Sequence, residues 1–397
     1  MEKIMILGAG PAQVPLIRAA KAMGLETVAA TIPGDWPGIP EADAVTYTDI
    51  ADPAAIAQAA EQYGVSGVAT CCFETGLRAL AYTCEKLGLP GISRDAAEIS
   101  VDKLAMKRAF DKGGISSAPW RLLEHPSDLE AAIEALGFPM VVKAVDLQGS
   151  SGVYIVHDLA QAVRAFDGAM ALTKKGYCLA EAFIPGENIG AEAFVQNGRV
   201  LFVLPDGTLS FTPPGGPNIP IGHYAPLDCP DMVRERICRE VEAAIAACGF
   251  DNCAVNVDLV LNDGTPYIIE LTARAGATCR PEIVSIHYGV DYYRMIIMAA
   301  LGRDAGELFA SRLPQPRAVA ATMLRSARTG TVRSIRLPQT LPENVYDLHL
   351  IVRQGDSVRS FAGTRDRIGQ LILSGDSVAD CRRQIDSLLA QIEIEVQ

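Results

Sequence analysis

The sequence predicts an α/β protein: a Rossmann-like parallel sheet, then a small mixed unit, then antiparallel hairpins. Three observations carry this. The first ninety residues alternate apolar strand-length runs with helical runs, a βαβαβα order that needs a parallel sheet with helices on its faces. Residues about 115–180 read as four strands and two helices. Beyond them, Asn197-Gly198 and Asn262-Asp263-Gly264 each separate two apolar runs, which is the signature of an antiparallel hairpin.

The elements follow in order. Lys3–Leu7 is an apolar strand, and Gly8-Ala9-Gly10-Pro11 is a turn before a helix over Ala12–Met23. A strand over Thr27–Thr31, a helix over Pro53–Tyr63, a strand over Gly67–Thr70 and a helix over Gly76–Leu87 complete the opening unit. Asp102–Asp111 is helical and is stopped by Gly113-Gly114. The mixed unit has strands Pro119–Leu122, Met140–Ala144, Val153–Val156 and Tyr177–Phe183, with helices over Ser127–Leu136 and from Asp158. Ala191–Val195 pairs with Val200–Leu204. Pro205–Pro220 is rich in Gly and Pro and reads as a long loop, a length that is often functional. A helix over Pro230–Cys248, strands Cys253–Leu261 and Tyr267–Leu271, short strands and a closing helix near Val378–Leu389 finish the chain.

Composition narrows the function. The 397 residues are 49% hydrophobic and carry a net charge of −12, which disfavours nucleic acid and anionic membrane as partners. No apolar run reaches the roughly 18–20 residues of a membrane helix. The start, Met1–Gly10, runs straight into a glycine turn and does not read as a signal peptide. The ten cysteines show neither CxxC nor zinc spacing, so they are expected as reduced, mostly buried thiols in a cytoplasmic protein. Small molecules are the expected partners.

Several residues carry chemistry. Gly8-Ala9-Gly10 lacks the third glycine of a dinucleotide loop, Pro11 removes an N–H, and no acid ends the second strand, so a tight strand-to-helix turn is favoured over nicotinamide binding. Gly149-Ser150-Ser151-Gly152 lies between two strands and is either a phosphate-wrapping loop or a plain hairpin turn. Lys103 reads as a solvated lysine, but Lys143 lies within the apolar strand Met140–Ala144 and needs an anionic partner. Glu181, Glu187 and Glu192 flank Phe183, as nucleotide contacts or as solvated strand edge. Asp258 and Glu270 lie in the two apolar strands of one hairpin, where carboxylates need a cation. The pair describes a Mg²⁺ site completed by nucleotide phosphates, or one of them pairs with Arg274.

Taken in order, these residues resemble the ATP-grasp superfamily. The pattern comprises Asp102-Lys103, Lys143 in its strand, Gln148–Gly152, Glu181-Ala182-Phe183-Ile184-Pro185-Gly186-Glu187, Asp258, and Glu270-Leu271-Thr272-Ala273-Arg274. It covers about residues 1–305, and Arg365–Ala390 resembles the closing subdomain of carboxylase-like members. The resemblance implies a Rossmann-like pre-ATP-grasp domain over 1–92, a two-subdomain ATP-grasp domain over 93–305 with a lid at about 115–180, and a small α+β C-terminal domain over 306–397. It implies that Lys103 and Lys143 hold the ATP phosphates under a lid loop of Gly149, Ser150, Ser151 and Gly152. The Glu181–Phe183 backbone would meet adenine, and Glu187 the ribose. Asp258 and Glu270 would hold Mg²⁺, with Mn²⁺ as the alternative ion, and Thr272 stands where the family has an Asn ligand. Arg274 would be catalytic, steadying the transferring phosphoryl group.

The activity so implied is ATP-dependent carboxylate–amine ligation through an acyl phosphate, releasing ADP and phosphate and joining amino acids. The substrates would be a small carboxylate and an amine, and the assembly a homodimer. Ala275–Val284 resembles the stretch after the arginine in amino-acid ligases. There Arg280, just before Pro281 at a helix start, is either a two-pronged receptor for an α-carboxylate or a surface partner of Glu282 or a nearby acid. The alternatives are a bicarbonate-activating carboxylase or ribonucleotide ligase on the same scaffold, and an inactive nucleotide-binding protein. No biotinyl-lysine motif is present.

Overall fold

The computed structural model describes residues 1–149, 151–212 and 219–397; Ser150 of the glycine loop and residues 213–218 of the Gly/Pro-rich stretch lie outside them. The chain opens with β1 (Lys3–Leu7), α1 (Val14–Ala22), β2 (Glu26–Thr31), β3 (Ala44–Tyr47), α2 (Pro53–Tyr63), β4 (Gly67–Ala69) and α3 (Leu77–Leu87). The strands pair in parallel in the order β3-β2-β1-β4. Asp52 caps α2 by accepting from the amides of Ala54 and Ala55, and Gly64 closes it in the left-handed conformation. The turn after β1 is filled from within. Gly8 has φ +99, a Cβ there would lie 2.7 Å from the Phe73 ring, and the fully buried Gln13 donates Nε2 to the Cys71 carbonyl at 2.8 Å. That fits the tight-turn reading of the glycines.

Next come α4 (Arg94–Val101) and α5 (Lys103–Gly113), the latter capped by Asp102. The mixed unit has β5 (Trp120–Leu123), α6 (Asp128–Leu136), β6 (Met140–Ala144), β7 (Val153–Val156), α7 (Leu159–Leu172) and β8 (Cys178–Ala182). Its sheet order is β5-β8-β6-β7, and Leu129, Met140, Val142, Phe166 and Ala180 give it a core of its own.

The body follows: β9 (Glu187–Gln196), β10 (Arg199–Phe211), β11 (Ile219–Ala225), α8 (Asp231–Ala247), β12 (Cys253–Asn262), β13 (Thr265–Thr272), α9 (Arg280–Tyr288), α10 (Tyr292–Ala300) and α11 (Ala305–Ala310). Alternation along β9 sets its two faces. Ile189, Ala191, Ala193 and Val195 share a core with Ile237, Val241, Ala244 and Ile245 of α8. The opposite face carries Gly190 and Glu192, then Phe194, which meets Tyr292 of α10 edge-on.

One expectation is overturned. Residues 205–211, read as the start of a loop, continue β10, which pairs with β9 on one side and with β11 on the other. The Gly/Pro content there serves packing instead of turning. A Cβ at Gly207 would come within 1.9 Å of the Tyr224 ring on the neighbouring strand.

The last ninety residues hold β14 (Ala318–Arg325), β15 (Gly330–Arg336), β16 (Val345–Leu350), β17 (Ser357–Val358), β18 (Arg367–Gly375), α12 (Val378–Leu389) and β19 (Glu393–Val396). β14, β18 and β16 extend the body into one eight-stranded sheet, β13-β12-β9-β10-β11-β14-β18-β16, and β17-β15-β19 form a small separate one. Cys381, Ile385 and Leu388 of α12 pack on β14 and β18. All ten thiols are free. Among the described residues no helix is long and apolar enough to cross a membrane.

Candidate active site

Strand register assembles the site. Asp258 on β12 faces Glu270 on β13, and across its other edge faces Gly190 on β9, which in turn faces Asp206 on β10. Two residues along, Thr272, Asn256, Glu192 and Leu204 form a second row. Because side chains two apart share a face, Glu270, Asp258, Asp206, Thr272, Asn256 and Glu192 project from one side of the sheet. Gly190 leaves a gap in the first row, and Arg280 fills it. A Cβ at Gly190 would lie 2.1 Å from Arg280 Nη2.

Each acid of the first row meets a cation. Arg280, the first residue of α9, places Nη2 3.4 Å from Asp206 and Nη1 3.4 Å from Asp258. Arg280 therefore does pair with nearby acids, but it is buried and not at the surface, and Glu282 is not among them; that acid accepts from Tyr293 Oη at 2.6 Å. Lys103, the first residue of α5, donates to Glu270 and to the Leu147 carbonyl, both at 2.9 Å. Arg274 pairs with neither Asp258 nor Glu270. It binds Glu74, from the loop after β4, and donates Nη1 to Asn256 Oδ1 at 2.6 Å.

Burial and charge then compete. Burial alone would lift the Glu270 carboxyl, but Lys103, with Lys143 and Arg274, holds it below its ordinary range. Burial would discharge Lys103, and Glu270, with Glu74 and Glu181, more than offsets that. Glu192 goes the other way. Burial, reinforced by Asp206, pushes it up to about 8 against the pull of Arg280 and Arg274, so it is largely neutral at pH 7. Its oxygens accept from the Gly276 amide at 2.9 Å and Tyr292 Oη at 3.3 Å. His223 of β11, 3.1 Å from Asp206, is held in the neutral form by burial and by Arg280. Several buried polar atoms find no hydrogen-bond partner among the described residues: Asp206 Oδ2, Asn256 Nδ2, Thr272 Oγ1, and Nε of Arg274 and of Arg280. Five such atoms in one cluster mark a surface built to meet a polar ligand.

The mixed unit supplies the other wall. Lys143 finds its expected anion in Glu181 of β8, at 2.7 Å, and the same oxygen lies 3.3 Å from Lys107. Lys107, at 2% exposure, also donates to Ser117 Oγ and the Ala118 carbonyl, and burial lowers it to about 8. Gly149 (φ +61) and Gly152 (φ +69) are both left-handed, and the Gly152 carbonyl accepts from the Ala144 amide at 2.9 Å. Ser151 belongs to the same turn, while Ser150 is outside the described residues. Phe183 is half-buried just past β8, and Glu187 is exposed at the start of β9.

Sequence reasoning missed Glu74, Lys107, Asp206, His223 and Asn256. Asn256 carried a usable signal, since it lies two residues before Asp258 on the same strand face. Its partner across the hairpin is Thr272, so an amide stands opposite the position where the family pattern has one.

Comparisons with known proteins bear on the family and the fold. Residues 101–278 match the family model of the phosphoribosylglycinamide synthetase ATP-grasp (A) domain, and residues 322–397 that of the L-amino acid ligase C-terminal domain 2. Alanine–anticapsin ligase of Bacillus subtilis (strain 168) is 26% identical over 277 residues, 63% of this chain and 57% of that enzyme; the chain thus spans little over half of that relative. A crystal structure of phosphoribosylglycinamide synthetase from Anaerococcus prevotii superposes over all of both chains with TM-score 0.87 and 36% identity. That of an L-amino acid ligase from Bacillus licheniformis covers all of this chain and 99% of its own, with TM-score 0.80 and 23% identity. With matching motifs in order, a matching catalytic-domain model and a full-length relative at 36% identity, this chain belongs to the ATP-grasp superfamily.

Proposed function

We propose that the protein is an ATP- and Mg²⁺-dependent carboxylate–amine ligase that joins amino acids. The observation that carries this is the row Glu270–Asp258–Gly190–Asp206 with Arg280 lying across it and Arg274 and Lys103 at its margins. Asp258 and Glu270 would hold the metal. Their chemistry fits a hard cation: two facing carboxylates, one of them with 56% of its side chain exposed, beside the unpartnered Thr272 hydroxyl. Among the described residues no third acid, His or Cys completes a metal cluster, so phosphate oxygens would fill the remaining positions. When bound, Mg²⁺ would neutralise charge on the β- and γ-phosphates.

The chain's own groups do the rest. Lys103 and Lys143 bind phosphate oxygens, with Glu181 and Lys107 fixing the Lys143 ammonium. Gly149–Gly152 closes over them, Glu181–Phe183 lines the adenine, and Glu187 meets the ribose. Arg274, aimed by Glu74 and Asn256, stabilises the phosphoryl group as it moves onto the carboxylate. Arg280 orients a carboxylate of the substrate that is not activated. Its contacts to Asp206 and Asp258, at 3.4 Å, are long for charge-assisted bonds, so a substrate carboxylate can displace them. The amine then attacks the acyl phosphate, and the closed mixed unit excludes water.

Amino acids suit this wall better than a phosphoribosyl group. Both arginines already face carboxylates, and Asp206 and Glu74 add negative charge that favours an ammonium. A panel of amino-acid pairs scored by ATP-dependent phosphate release, with hydroxylamine as an acyl trap, tests the proposal. Hydroxamate from at least one amino acid is expected. Turnover with 5-phosphoribosylamine and glycine alone would replace the amino-acid ligase reading with the ribonucleotide one.

A further inference from the structure

The C-terminal region holds a cavity of about 410 Å³ that the chemistry above does not use. It opens between the end of β14 and the segment that follows α12. One wall is apolar: Leu389, Ile392, Ile394 and Val396. The other carries Arg325 and Arg328. Among the described residues neither guanidinium forms an ion pair, Glu395 on the cavity wall being 3.8 Å from Arg333 instead, and Arg325 Nη1 is buried without a hydrogen-bond acceptor there. Arg325 is nevertheless held in place. Its guanidinium stacks 4.6 Å from the Phe211 ring and 5.7 Å from that of Phe361. The turn to Arg328 is fixed by Ser326 Oγ, which donates to the Arg328 carbonyl at 2.6 Å and lies 3.2 Å from its amide. The chain thus holds an arginine by aromatic stacking beside an apolar pocket, with its Nη1 buried and without an acceptor among the described residues, while Arg328 is exposed on the same wall.

We propose that this cavity is a second ligand site, separate from the ligase centre, for a small organic monoanion: a carboxylate with an aliphatic tail. The planar guanidinium matches a carboxylate, the Leu/Ile/Val wall takes the tail, and the volume lies within the range of small-molecule pockets. Glu395 also lines the cavity, engaged by Ser334 Oγ at 3.2 Å. Its charge disfavours a dianion such as phosphate.

The test follows the Ile δ1 methyl signals of the full chain by NMR while 4-methylpentanoate is added, with 4-methylpentanamide and inorganic phosphate as the other arms. Ile392 and Ile394 are assigned from Ile→Val variants. The expected result is saturable shifts at both methyls with Kd of about 1 mM, an affinity in keeping with a ligand of this size. Arg325→Met, which keeps an unbranched side chain beside Phe211, should weaken binding about tenfold, and the exposed Arg328→Ala about threefold, as for loss of a charge-assisted contact. The amide and phosphate should bind more weakly than the acid. Absence of shifts at Ile392 and Ile394 up to about 50 mM acid, an unchanged Kd in both Arg328→Ala and a folded Arg325→Met, or equal binding of the amide would overturn the proposal.

Discussion

Gly190→Ala probes the role assigned to Arg280 without substituting a charged residue. The new Cβ would stand 2.1 Å from Arg280 Nη2 and 2.9 Å from Asp206 Oδ1, whereas carbon contacts below 3.0 Å are essentially not tolerated. The guanidinium must therefore retreat by roughly 1 Å, and its 3.4 Å contact with Asp206 opens beyond ion-pair range. Overpacking of this kind costs about 1–3 kcal/mol of stability. Losing a charge-assisted contact to the substrate carboxylate costs about 1.5–3 kcal/mol, which is roughly a 10- to 100-fold rise in KM. ATP meets other residues, so its KM should stay within about twofold, a uniform-binding loss for one substrate only. The assay is steady-state phosphate release with each substrate varied in turn, alongside urea unfolding. A variant that loses the expected stability, and so shows the clash, yet keeps the amino-acid KM would refute the assignment of Arg280 to substrate.

Three further outcomes are expected. Glu270→Gln removes one anionic metal ligand and the partner of Lys103, so turnover should fall by at least about 100-fold with the fold intact, while added Mg²⁺ restores part of it; full activity at ordinary Mg²⁺ would locate the metal elsewhere. Glu192 has its folded value raised from 4.5 to about 8, so the stability it permits is complete below pH 4.5 and is lost as pH rises towards 8. Relative to Glu192→Gln, which keeps an acceptor for the Gly276 amide, the wild type should lose on the order of several kcal/mol across that window in urea unfolding, and parallel pH profiles would show the carboxyl to be ionised throughout. The mixed unit has its own core and joins the body through few segments, so ATP with Mg²⁺ should slow proteolysis at Gly149–Gly152 several-fold; equal cleavage with and without nucleotide would argue against a closing lid.

Much of the fold was legible because its signals are local. Asp52 and Gly64 bound α2, and the boundaries of β6 and α12 follow from apolar runs and periodicity alone. Lys143 and the Asp258–Glu270 pair stood out for one physical reason: a charge within an apolar strand needs a partner. Strand parity then brought the two acids into register. What stayed hidden was non-local. Glu74 meets Arg274 from 200 residues away, and Lys107 looks like any helical lysine until Glu181 is placed against it. Asp206 was obscured because Gly207 and its neighbours, read as loop formers, belong to an interior strand in which Gly207 makes room for Tyr224. The lid loop and the second half of the Gly/Pro stretch include residues outside those described, Ser150 among them.

The central claim is that ATP activates a carboxylate as an acyl phosphate on this site. The measurement that tests it most directly is oxygen transfer: turnover with an amino-acid substrate whose carboxylate is labelled with ¹⁸O, followed by mass analysis of the inorganic phosphate released. The account predicts one ¹⁸O in each phosphate formed with product, alongside ADP. Unlabelled phosphate accompanying product, or AMP with labelled oxygen in place of ADP, would contradict it.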